Sequence, residues 1–167
     1  MIFGMTISTF TTVHVVLSLV GIFSGFVVLI GLLGGKRLDG LTALFLVSTV
    51  LTSVTGFGFP INGFTPGIGL GIISLVVLAV AIYARYVRRL AGSWRLVYVI
   101  SATAALYFNF FVLIVQSFQK VPFLQALAPT QSEPPFAIAQ LVALVAFLVL
   151  GFMASIRFRE RYVPMSS

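Results

Sequence analysis

Nine of the ten Lys and Arg residues of this chain fall in three clusters, Lys36-Arg37, Arg85-Arg88-Arg89-Arg95 and Arg157-Arg159-Arg161, and long apolar stretches alternate with them. The tenth cation, Lys120, stands alone. A bilayer core admits a chain that satisfies every backbone polar group internally, and about 20 apolar residues are enough to cross it as a helix. Five stretches qualify, over residues 11–33, 41–59, 67–86, 95–118 and 136–156. They are apolar on every face rather than alternating, which argues against barrel strands. The expected fold is all-α: an integral membrane bundle of five transmembrane helices, with residues 1–167 forming a single transmembrane domain.

Composition supports the same reading. Hydrophobic residues make up 60% of the chain and charged ones 8%, and the acids are Asp39, Glu133 and Glu160, too few for an ordinary aqueous surface. A net charge of +7 would point to phosphate binding in a soluble domain. Here the cations flank apolar runs, so the expected partners are membrane lipids, with anionic head groups on the cytoplasmic side, and not nucleic acid. The absence of cysteine excludes disulfides, thiolate metal sites and thiol nucleophiles.

If the clusters are cytoplasmic, the first loop, the third loop and the C-terminal tail lie inside, and five alternating spans then put the N-terminus outside and the C-terminus in the cytoplasm. Tyr83, Tyr86, Trp94, Tyr98 and Tyr162 fall at the same level as the clusters, as an interfacial aromatic belt would. The first apolar stretch is longer than a signal-peptide core and reads as a retained span. The second loop mixes chain breakers with Phe57, Phe59 and Phe64, as in an interfacial turn or a lid. The fourth holds Pro122, Pro129, Pro134 and Pro135 around a short apolar patch, consistent with a short helix lying on the membrane. Lys36-Arg37-Leu38-Asp39-Gly40 is echoed by Arg88-Arg89-Leu90-Ala91-Gly92, a similarity that recurring turn chemistry accounts for as well as duplication does.

Polar side chains inside spans are the usual pointers to function. Counting about 1.5 Å per residue from the helix ends, His14, Thr52, Ser53, Thr55, Gln116 and Gln140 all fall in the outer third, and together they would form a polar pocket open to that side. Equal depth also follows where polar groups simply reach head groups. Asn109 lies near the midplane. There its amide needs a partner, either across a helix interface or on a bound molecule. Gly21, Gly25 and Gly151 give flat strips for close helix packing. His14 is the sole imidazole, so no metal site is expected, and a bis-His haem would need two copies of the chain. No carboxylate lies within a span, and no catalytic triad, phosphate loop or dinucleotide fingerprint appears. Catalysis therefore has little support.

The placement of His14 and Gly21-x-x-x-Gly25, the basic turn that follows, and the segment Leu127-Ala-Pro-Thr-Gln-Ser-Glu-Pro-Pro-Phe136 resemble small polytopic bacterial inner-membrane proteins of unassigned function. That resemblance implies a multi-pass location in a bacterial inner membrane and no site residues. The leading expectation is a non-enzymatic interaction or accessory subunit with a membrane-protein partner or a second copy. Next comes a binder or carrier of a small apolar molecule, a lipid or quinone, through the outer polar pocket. A dimeric haem-binding redox subunit is third. No cofactor is otherwise expected, haem and quinone being the two groups these alternatives would bring.

Overall fold

A computed structural model describes residues 1–161, with side chains through Phe158. Tyr162 and the side chains of Arg159, Glu160 and Arg161 lie outside the described residues. The elements are α1 (Ile7–Leu33), α2 (Asp39–Gly56), α3 (Pro66–Ile82) continuing into a π-turn (Tyr83–Val87), α4 (Trp94–Lys120), the short α5 (Pro122–Leu127) and α6 (Pro134–Arg161). There is no β-strand among the described residues. Five helices are long and apolar enough to cross a membrane, and they correspond one to one with the expected spans.

Local chemistry sets the helix ends. Thr6 caps α1 by accepting from the Thr9 N–H at 3.2 Å, so the helix starts four residues before the apolar run at 11 does. Its far end closes as a Schellman turn: Gly35 takes φ +75°, and the N–H groups of Gly35 and Lys36 donate to the carbonyls of Leu32 and Gly31 at 3.0 and 2.7 Å. Thr65 caps α3 ahead of Pro66, a proline that loses nothing at a first helical position. The two echoed turns share an uncommon backbone. Leu38 and Leu90 both have positive φ, +46° and +59°, so the similarity of sequence extends to conformation.

Packing is uneven along the bundle axis. The apolar core joins Val28, Leu29 and Leu32 of α1, Phe45 and Leu46 of α2, Leu78 and Ala81 of α3, Val99, Ala102, Ala105 and Leu106 of α4, and Phe147, Ala154 and Phe158 of α6. Apart from Phe147, at the middle of α6, these lie in the half of the helices nearer the cation clusters. Gly25 permits the tightest approach: a Cβ there would stand 2.6 Å from Leu106 Cδ1 and 2.9 Å from the Phe45 ring. Gly151 faces Thr103 in the same way, 3.1 Å from its methyl group. The glycine strips expected from sequence are thus used for packing within the chain. α6 sits outside, against α1 and α4, and exposes Ile138, Leu141, Val142, Val145, Leu148 and Phe152. In water that face would be a liability; against lipid it is ordinary.

At the cation-rich end one member of the basic clusters is not at the surface. Arg85 is 2% exposed. It donates through Nη2 to the Arg37 carbonyl at 3.2 Å and forms an ion pair with Asp39, with its guanidinium 5.2 Å from the Tyr98 ring centroid. Tyr98 is fully buried beneath it. Arg85 therefore ties the first loop to the turn that leads into the third loop instead of reaching for head groups, and Tyr98 belongs to the core rather than to an aromatic belt. Trp94 and Tyr83 do pair at 5.2 Å, and Arg88 lies over the Trp94 ring. The fourth loop contains the expected short helix, α5, with Phe123 and Leu127 exposed on it.

Candidate functional site

Away from the apolar core a cavity of about 630 Å³ is lined by residues of α1, α2, α3 and α4. Its walls are mostly apolar, built from residues such as Val15, Leu19, Ile68, Leu70, Val112 and Leu113. Polar groups lie at two levels. Ser18, Thr49 and Asn109 form the floor, and His14, Gln116 and Lys120 stand nearer the helix ends. From Asn109 to Lys120 along α4 is about 16 Å at the helical rise per residue.

The floor exists because α1 carries glycine where it meets two polar neighbours. A Cβ on Gly21 would come within 2.9 Å of Thr49 Oγ1 and 3.2 Å of Asn109 Nδ2. Without one, Ser18 donates to Asn109 Oδ1 at 2.8 Å, and Asn109 Nδ2 donates to the Ser18 carbonyl at 3.4 Å. The midplane amide thus has an interhelical partner and also lines the cavity.

On α2 the hydroxyls are satisfied locally. Thr49, Thr52 and Thr55 donate to the carbonyls of Phe45, Ser48 and Leu51 at 2.7, 2.8 and 2.7 Å, a back-bonding pattern common for Ser and Thr in membrane helices. Ser53 reaches across to Ser74 of α3 at 3.3 Å. His14 Nδ1 is 2.7 Å from Thr55 Oγ1, and its ring meets Phe59 edge-on at 5.2 Å. Phe59 in turn contacts Phe10 at 4.9 Å, while Phe57 fills the space that Gly71 leaves open. The aromatic loop therefore forms part of the cavity wall, apart from Phe64, whose side chain is exposed.

Of the six residues expected to form a pocket, His14, Thr52, Ser53 and Gln116 line this cavity. Thr55 lies behind His14 and holds it. Gln140 does not join them; it donates to the Phe111 carbonyl at 3.4 Å, across the contact between α6 and α4. Ser18, Thr49, Ser74, Ser117 and Lys120 belong to the lining as well. Helical spacing carries a signal for several of them: Thr11, His14 and Ser18 share one face of α1, as Asn109, Gln116 and Lys120 share one face of α4. Among the described residues no three His, Asp or Glu side chains come together. Comparison with protein-family models, with curated proteins and with solved structures returns no match.

Proposed function

We propose that this chain is a multi-pass membrane protein that holds a small, largely apolar molecule, a lipid or a quinone, in the cavity between α1, α2, α3 and α4. The supporting observation is the cavity itself. Its 630 Å³ falls within the roughly 300–1,000 Å³ typical of small-molecule sites, and mostly apolar walls with a few convergent polar groups are what such sites offer. A packed membrane bundle has no structural need for that space, since voids forfeit dispersion contacts. The glycine strips, which would otherwise favour an accessory subunit docked on a partner, face other helices of this chain.

The proposed setting is a bacterial inner membrane, with the cation clusters in the cytoplasm and the N-terminus outside. Support comes from the join between the first and third loops through Arg85 and Asp39 and from the burial of Phe158 in the core cluster nearest them. The cavity then faces the outer leaflet. Native mass spectrometry of protein extracted in mild detergent tests the ligand reading. The expected result is a retained organic adduct that disappears in Thr52→Trp, a variant that fills the cavity from α2. A bare mass for the wild-type protein under extraction that preserves bound lipid counts against it.

A further inference from the structure

The hydrogen-bond geometry around Thr55 fixes which proton His14 carries, and from it the kind of ligand head group the cavity accepts. Thr55 Oγ1 makes two contacts of 2.7 Å, one with the Leu51 carbonyl and one with His14 Nδ1. Separations that short between electronegative atoms need a proton in each gap. The carbonyl brings none and the hydroxyl has one, which fills the gap to Leu51. The second proton must come from His14, so Nδ1 carries hydrogen and donates to Thr55. In the neutral ring Nε2 is then a bare acceptor. It makes no hydrogen bond among the described residues, and the ring lines the cavity.

The same accounting applies along α2. Thr49 and Thr52 have given their protons to the helix backbone, which leaves acceptor lone pairs on their oxygens. At the cavity floor Asn109 Oδ1 already accepts from Ser18. The α1–α2 side of the cavity is therefore rich in acceptors, and the lining donors with unspent protons lie elsewhere: Gln116, Lys120 and the second Asn109 Nδ2 hydrogen on α4, and the hydroxyls of Thr65 and Ser74 at the cap and within α3. A ligand that offered acceptors alone would place lone pairs against lone pairs on the α1–α2 side.

Resting on the reading of the cavity as a site for a lipid or a quinone, we infer that the molecule it accepts carries a hydroxyl donor on an apolar body, such as a phenol, the reduced hydroquinone form of a quinone, or a lipid with a free hydroxyl such as a long-chain alcohol, and that this hydroxyl donates to His14 Nε2. Ketone, ether and ester counterparts of the same shape are disfavoured. One hydrogen bond of ordinary strength corresponds to about tenfold in affinity.

Two measurements test the inference. The first needs no ligand: ring ¹⁵N shifts of His14 in labelled protein at alkaline pH should show the Nδ1–H tautomer, shifting toward Nε2–H in Thr55→Val. An Nε2–H tautomer in the wild type overturns the inference. The second uses 4-nonylphenol and its methyl ether offered as a mixture to nanodisc-embedded protein, with bound species counted by native mass spectrometry. The phenol-to-ether ratio should exceed that of His14→Phe by about tenfold, the comparison cancelling any difference in membrane partitioning. Equal ratios in the two proteins overturn the inference while leaving the cavity reading intact. Binding of neither compound to the wild type overturns both.

Discussion

Asp39 and Arg85 form a lopsided ion pair, and the asymmetry predicts an unequal response to mutation. The Arg85 side chain is 1% exposed and that of Asp39 is 74% exposed. Asp39→Asn leaves a buried guanidinium whose remaining partners are the Arg37 carbonyl and the rings of Tyr98 and Tyr86. Removing one partner of a fully buried pair costs about 3–5 kcal/mol. The retained ring contacts offset about 0.5–2 kcal/mol of that, and loss of a negative charge in the first turn of α2 adds about 0.3–1 kcal/mol. The expected destabilisation is about 3–4 kcal/mol. Arg85→Met instead leaves a carboxylate already in contact with water, so its cost should stay below about 1.5 kcal/mol. The double variant should be close to Arg85→Met alone, a coupling of about 3 kcal/mol. Unfolding in mixed micelles, followed by the fluorescence of Trp94 beside the same turn, measures all four corners of the cycle. Additive costs, or Arg85→Met being the more damaging single change, would refute the reasoning.

Four further predictions concern packing and pH. Gly25→Ala should lose about 1–2 kcal/mol in the same unfolding assay, since overpacking against Leu106 and Phe45 outweighs the better helix propensity of alanine. Gly40→Ala, with nothing within 4 Å of the new methyl group, should be neutral or slightly stabilising. Asn109→Ala should cost about 0.6–2 kcal/mol, the range for interhelical hydrogen bonds in membranes, and a cost shared with Ser18→Ala in a double variant would show that the two act as one contact. Glu133 is held below its usual pKa near 4.5 by the Thr130 hydroxyl and by the N–H groups of the loop. A depressed carboxyl stabilises its folded form above the unfolded pKa and loses that contribution as pH falls through the folded value. Amide exchange over residues 130–133 should therefore quicken relative to Glu133→Gln controls only in acid, below about pH 4.5. A loop equally protected on both sides of that range would contradict the assignment.

The spans were legible because bilayer thickness and backbone hydrogen bonding leave few alternatives: five apolar runs became five helices, with ends moved by Thr6, Thr65 and the Schellman turn at Gly35. The level of the polar residues was legible for the same reason, since depth follows from counting. Their facing was not. Gln140 sits at the depth of His14 and Gln116, yet α6 packs outside α1 and α4, and the order of helices around a bundle leaves no trace in an apolar sequence. Arg85 was hidden similarly, because a cation cluster in sequence does not say which member turns inward toward Asp39. Thr49 and Ser74 were missed because each lies beyond the outer third, where polar residues attract attention; only the shared helical face with Thr52 and Ser53 marks Thr49.

Because the chain has no cysteine, a single one placed in the cavity reports without background. Ser53→Cys can be alkylated with a bulky apolar maleimide and compared with Leu44→Cys, whose side chain points away from the bundle. If the cavity holds a membrane-derived molecule, native mass spectrometry should find the bound adduct lost after modification at residue 53 and kept after modification at residue 44. An adduct that survives with the cavity blocked, or one lost equally from both variants, would contradict the central claim.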